Sequence, residues 1–214
     1  MTGSRFNPPN IITLTRILAC PVIFGLALAP GVGARFWAFG LFVVAGLSDL
    51  WDGYLARRYH MITNTGKLLD PIADKLVLVA TFVPFYLISH RGSELDAIPL
   101  WGPMPLWVII VIFGREILIT LFRAYAAGRG VVIAAGKSGK RKALLQALFI
   151  GGLLLWYPVR SLAETGAWNG TAWTLASTFI QGWVAIMLGA AIVLTIYSMI
   201  DYLWTYRTLV GIRD

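Results

Sequence analysis

The chain has one cysteine, Cys20, and two histidines among its 214 residues. An internal disulfide framework is therefore excluded, and so is a metal site built on thiolates. Charge is scarce too: Asp, Glu, Lys and Arg make up 13% of the residues against 58% hydrophobic, and the mean hydropathy is +0.74. A domain of this size cannot bury that much apolar surface in its own core, which argues against a soluble globular protein. What charge exists leans positive, with 18 Lys and Arg against 10 Asp and Glu. In a soluble protein this balance would point to nucleic acid. In so apolar a chain it follows from the collection of Lys and Arg on cytoplasmic loops, so no nucleic-acid partner is expected.

A bilayer crossing needs about 20 apolar residues, and six blocks approach or exceed that length: Ile11 to Ala29, Phe36 to Leu55, Leu68 to Ser89, Leu106 to Ala127, Ala143 to Tyr157 and Leu175 to Trp204. The expected fold is an all-α polytopic membrane protein with six transmembrane helices in a single domain over residues 1–214. Pro8-Pro9-Asn10 should open a short N-terminal interfacial segment. Ala27-Leu28-Ala29 superficially resembles a signal-peptidase site, but further spans follow, so the first block reads as a retained helix stopped by Pro30 and Gly31. Turns are expected near residues 31–33, 91–105, 126–139 and 158–169. With the blocks alternating in direction, thirteen of the eighteen Lys and Arg fall on one side and only Arg35, Arg91 and Arg160 on the other, Lys75 and Arg115 lying inside helices. Both termini then belong in the cytoplasm. Trp101, Trp107, Trp156, Trp168 and Trp173 cluster at the opposite boundary, as indoles do at headgroup level.

Four of the seven aspartates lie between Asp49 and Asp74, at the cytoplasmic end of the second span and the start of the third. Carboxylates are costly there and need a cause. On helices, Asp49 and Asp52 share a face at i,i+3, and Asp70 and Asp74 share one at i,i+4. A turn near residues 58–65 makes the two helices antiparallel, so the four acids can converge. Four such charges repel unless a cation neutralises them. Oxygen-only ligands favour Mg²⁺, Mn²⁺ or Ca²⁺, and two ions for four carboxylates is a reasonable stoichiometry. His60, in the turn, reads as a solvated residue. Gly53 and Ala56 adjoin the first acidic pair. Small residues let helices approach closely, but here they also leave a notch where a base or phosphate could reach the metal, beside the phosphate-matching fork of Arg57.

The run Asp49-Leu-Trp-Asp52-Gly53-Tyr-Leu-Ala56-Arg57, eight residues, Gly66, three residues, Asp70, three residues, Asp74 resembles the signature of the CDP-alcohol phosphatidyltransferase family at each of its fixed positions. Eight specified residues at fixed offsets coincide by chance with a probability on the order of 10⁻¹⁰ per start site. The resemblance implies a six-helix membrane enzyme that uses divalent metal, Mg²⁺ or Mn²⁺ and two ions, to replace the CMP of a CDP-linked lipid by an alcohol. It makes Asp49, Asp52, Asp70 and Asp74 metal ligands, with Asp74 also the general base, and gives Gly53, Ala56, Arg57 and Gly66 to the cytidine diphosphate. It further implies a homodimer in the inner membrane, among membrane lipids, with the site on the cytoplasmic side.

A second polar set follows in the fourth span and beyond: Arg115, Glu116, Arg123, Lys137, Lys140, Arg141 and Lys142. Arg115 and Arg123 are eight residues apart and share a helical face about 12 Å long. Topology alone accounts for Arg123 and the lysines. Arg115 lies well inside an apolar helix and must have an anionic partner: Glu116, an aspartate or a bound phosphate. A basic pocket beside a metal that holds a diphosphate suits an acceptor carrying its own phosphate, such as glycerol 3-phosphate. Arg115 to Arg123, then Gly139-Lys140-Arg-Lys142 and Gln146, together with Pro9-Asn10-Ile-Ile-Thr13-Leu-Thr-Arg16, is similar to family members that use this acceptor and yield phosphatidylglycerophosphate. The similarity implies that Arg115, Arg123, Lys140 and Lys142 contact its phosphate, and leaves Asn10, Thr13 and Arg16 without a role. Ala143 departs from it, standing where such members usually carry Thr.

Other members of the family act on inositol phosphate, serine or a second phospholipid; the basic set argues against serine only. An ion transporter would also explain intramembrane acids and Lys75. It would not explain the notch beside Arg57.

Overall fold

The computed structural model describes residues 8–58, 64–92, 96–131, 137–166, 168 and 170–207; side chains 8–9, 52–57, 64–65, 67–68, 137–138 and 140 lie outside the described set. Six helices carry the fold: α1 (Pro8–Leu28), α2 (Val32–Arg58), α3 (Asn64–Ser89), α4 (Leu106–Gly128), α5 (Lys137–Glu164) and α6 (Thr171–Thr205). Apart from one isolated bridge between Ile98 and Gly102, the described residues are helices and turns, as the apolar blocks predict. Five of the helices are long and apolar enough to cross a membrane. The other, α4, has the length at 23 residues, but Arg115, Glu116 and Arg123 interrupt its apolar run. Leu18, Trp37, Val44, Ile110, Ile186 and Val193 are exposed, an outward apolar surface that a bilayer covers and water would not.

Several helices outrun their apolar blocks, because backbone hydrogen bonding continues into the polar headgroup zone. Pro8 and Pro9 occupy the first turn of α1, continuous with the span, where a missing N–H costs nothing. The turn expected from residue 158 is corrected: Pro158 lies inside α5, which runs on to Glu164. Likewise Lys137 to Gly139 begin α5 instead of ending a loop. Prolines persist inside spans because packing against neighbouring helices accommodates the lost bond, as also at Pro21, Pro71 and Pro84.

The arrangement differs from a simple α2–α3 hairpin. α1 packs on both α2 and α3, α5 packs on α6 and α2, and α4 packs on α6. The middle of the bundle is aromatic: Phe82 and Phe85 of α3 meet Phe149 of α5 with ring centroids 5.6 and 6.0 Å away. Between α5 and α6 the approach is close at Gly152, where a Cβ would stand 3.1 Å from Trp183 Cδ1. These contacts fix the relative height of the helices, and hence which polar residues meet at the end where the acids lie.

Candidate active site

Asp49 is carried near the C-terminus of α2, and Asp70 and Asp74 in the first turns of α3 with Gly66 a turn before them. Asp52, Gly53, Ala56 and Arg57 lie on the same helical stretch of α2, and Lys140 in the first turn of α5. Their side-chain surroundings are outside the described residues, as is His60.

The link between the acids comes from α1. Thr13 and Arg16, one turn apart, are 2% and 5% exposed. The Thr13 hydroxyl donates to Asp70 Oδ1 at 3.1 Å. Arg16 Nη1 donates to Asp49 Oδ1 and stands 3.6 Å from Asp74 Oδ1. Two residues to which the motif assigns nothing thus gather three of its carboxylates. The carboxylates themselves remain open, with the Asp49 and Asp74 side chains 44% and 67% exposed. Among the described residues no group of three or more acidic, His or Cys side chains stands close enough to hold an ion. The donor set still fits a hard divalent cation: all oxygen, open on one side, its charge met from behind by a guanidinium.

Asp49 and Asp74 line a cavity of about 480 Å³, within the range of ligand sites. Another part of its lining is basic. Arg115, Arg123 and Lys142 line it, together with Glu116, Gln146, Ala143 and the α6 residues Ser198, Asp201 and Tyr202. Arg115 and Arg123 reach the same cavity, as their spacing predicts. Of the partners foreseen for Arg115, Glu116 is the one found: its Oε1 accepts from Arg115 Nη1 at 3.2 Å and also from Lys142 Nζ. Gly139 lies beside that guanidinium, where a Cβ would stand 3.6 Å from Arg115 Nη2. Arg123 Cζ lies 5.7 Å from the centre of the Tyr202 ring.

Five buried donor atoms on this cavity's lining residues have no hydrogen-bond partner among the described residues: Arg16 Nε and Nη2, Arg115 Nε, Arg123 Nε and the Tyr202 hydroxyl. Unpaired buried donors are expensive. Three arginines on one cavity lining can serve an anion with several acceptor oxygens. Tyr202 and Asp201 are additions from α6. Asp201 could have been noticed as a carboxylate in an apolar helix; no sequence pattern singles out Tyr202.

Comparison with known proteins agrees with this chemistry. A family model described as CDP-alcohol phosphatidyltransferase matches residues 6–197. The chain belongs to the CDP-alcohol phosphatidyltransferase family. It is similar to a probable phosphatidylglycerophosphate synthase of Mycobacterium tuberculosis, 34% identical over 97% of this chain and 86% of that protein. It also resembles the CDP-diacylglycerol–glycerol-3-phosphate 3-phosphatidyltransferases of Bacillus subtilis, 37% identical over 70% of this chain and 77% of that one, and of Haemophilus influenzae, 31% identical over 93% and 92%. As a CDP-alcohol phosphatidyltransferase the chain is a membrane-bound transferase, and the family works with divalent metal.

Proposed function

We propose that this protein transfers the phosphatidyl group of CDP-diacylglycerol to glycerol 3-phosphate, releasing CMP and forming phosphatidylglycerophosphate for phospholipid synthesis. The observation that carries the reading is the single cavity whose one wall is Asp49 and Asp74 and whose other is Arg115, Arg123 and Lys142. Lipid donor and phosphorylated alcohol need these two chemistries side by side. Relatives named for this reaction support the acceptor.

Asp49, Asp52, Asp70 and Asp74 hold the divalent ions, two Mg²⁺ or Mn²⁺, which when bound neutralise the diphosphate and the departing CMP. Gly53, Ala56 and Gly66 leave room for the cytidine diphosphate, and Arg57 donates to it. Arg115, Arg123, Lys140 and Lys142 hold the acceptor's phosphate, with Glu116 keeping Arg115 and Lys142 in place. Ala143 lines the cavity, so the absent Thr hydroxyl leaves the bound phosphate with one donor fewer.

Held this way, the acceptor's primary hydroxyl lies near Asp74. Its oxygen forms the new bond to the phosphorus carrying diacylglycerol, the bond from that phosphorus to CMP breaks, and the hydroxyl proton passes to the Asp74 carboxylate. An ordinary carboxylate, with a pKa of about 4, is a weak base for an alcohol, so proton transfer accompanies bond formation. On this reading the site opens to the cytoplasmic leaflet of the inner membrane, both termini lie on that side, and the enzyme is a homodimer. The lipid's acyl chains stay in the bilayer while soluble acceptor and CMP exchange.

The test supplies purified protein with CDP-diacylglycerol, Mg²⁺ or Mn²⁺ and a panel of labelled acceptors. Label entering lipid from glycerol 3-phosphate, with equimolar CMP, is the expected result. Label entering from inositol phosphate instead would overturn the acceptor, and no metal-dependent CMP release would overturn the reaction.

A further inference from the structure

Arg16 stands outside the acidic motif, yet its guanidinium meets two of the motif's carboxylates. Its Nη1 is bonded to Asp49 and lies 3.6 Å from Asp74. Arg16 lines the cavity, and its Nε and Nη2 are buried without a hydrogen-bond partner among the described residues. A guanidinium 5% exposed with only part of its donor fork engaged is a costly arrangement if the protein has a single working state. It is a sensible one if an acceptor arrives later.

Two species come to this wall in the reaction proposed above, on which this inference rests. A divalent cation comes to the carboxylates that Arg16 already neutralises, and like charges a few ångströms apart repel. A diphosphate brings oxygens suited to a paired N–H fork such as Nε and Nη2. We propose that Arg16 is a positioning residue that exchanges partners: it holds Asp49 and Asp74 in the metal-free protein, and gives its donors to the diphosphate of the nucleotide-lipid once a divalent ion takes those carboxylates. Metal and nucleotide then bind as a coupled pair. An ion held without nucleotide is opposed by the guanidinium, and a nucleotide without the ion meets a guanidinium whose Nη1 is still held by Asp49 and Asp74.

A purely structural tie between α1 and α2 makes a different forecast. Removing it would loosen the bundle and weaken both ligands together. Partner exchange requires opposite signs. In full-length protein in detergent, free Mn²⁺ is counted by its paramagnetic resonance signal, and CDP serves as the soluble diphosphate probe at saturating Mn²⁺. Arg16→Gln should bind Mn²⁺ alone about tenfold more tightly and CDP about tenfold more weakly, each equal to about 1.4 kcal/mol. Arg16→Lys, which keeps the charge but loses the fork, should stay within about threefold of the parent for Mn²⁺ and lose CDP affinity.

Should Arg16→Gln fail to fold, nitrogen-15 spectra of the arginine side chains in the unmodified protein carry the test, with the Arg16 signal identified by its disappearance in Arg16→Lys. That signal should move on adding Mg²⁺ and again on adding CDP. Unchanged or weaker Mn²⁺ binding by Arg16→Gln, unchanged CDP binding, or an Arg16 signal indifferent to Mg²⁺ would overturn the exchange while leaving the metal-dependent reaction intact. If the unmodified protein binds no Mn²⁺ at all, the metal reading of the acids falls and the exchange falls with it.

Discussion

Two buried arginines at different places in the bundle, Arg35 and Arg16, are 6% and 5% exposed and both pair with aspartate, yet their surroundings differ. Arg35, in the first turn of α2, reaches Asp96 at 3.1 Å through Nη2, donates through Nε to the Ala29 carbonyl at 3.2 Å, and lies 5.4 Å from the Tyr157 ring centre. Asp96 is itself only 14% exposed, and Arg35 has no buried donor left unpartnered among the described residues. Arg16 faces carboxylates that are 44% and 67% exposed, and two of its donor atoms go unmet. A buried charge whose partners are complete ties helices together. One left incomplete beside open acids is held in readiness for a ligand. Burial alone does not separate the two cases; the count of satisfied donors does.

The strongest way to break this contrast is at Asp74. Asp74→Asn keeps the shape of a side chain that is largely exposed, so the melting temperature in detergent should hardly change, while turnover falls by about 10²–10⁴-fold, the usual worth of a general base. A variant retaining near-normal turnover would remove Asp74 from the chemistry. The mirror image is Arg35→Met. Removing one partner of a closed buried pair costs about 3–5 kcal/mol, so thermal unfolding should come markedly earlier, and the protein that survives should keep its KM for both substrates. A raised KM without lost stability would mean that Arg35 belongs to the site after all.

Arg115 tests the basic wall. Arg115→Gln should raise the KM for glycerol 3-phosphate about 10–100-fold, since hydrogen bonds to charged groups are worth about 1.5–3 kcal/mol, and leave the KM for CDP-diacylglycerol nearly unchanged. Equal effects on both substrates would show that the two walls do not divide the labour. The smallest effect is expected at Tyr202, whose hydroxyl is buried without a partner. Tyr202→Phe should leave stability unchanged or slightly higher and weaken the acceptor a few-fold, about 1 kcal/mol. Steady-state kinetics beside a melting curve read both numbers.

Much of this was legible in one dimension. The six helices follow from the apolar blocks, and the acid motif from residue spacing, because both depend on periodicity within a single helix. Arg115 could be narrowed to a short set of partners because its neighbour in the chain is an acid. Thr13, Arg16, Asp201 and Tyr202 could not be given roles, for a physical reason. Their positions depend on α1 packing on both acid-bearing helices and on α6 packing against α4 and α5, which no local pattern encodes. Pro158 misled because a proline that stops a helix in water is accommodated in a span packed among neighbours.

The place of α1 against both acid-bearing helices also bears on how the protein is made. Synthesis proceeds from the N-terminus, so Arg16 enters the membrane before Asp49 and well before Asp74. Each acid thus meets a waiting countercharge as it leaves the insertion machinery, which lowers the expense of bringing carboxylates to the bilayer. The opposing wall is finished last, when α6 docks on α5. Arg115, Arg123 and Lys142 precede it on α4 and α5, so the last helix adds Asp201 and Tyr202 to a basic lining already made.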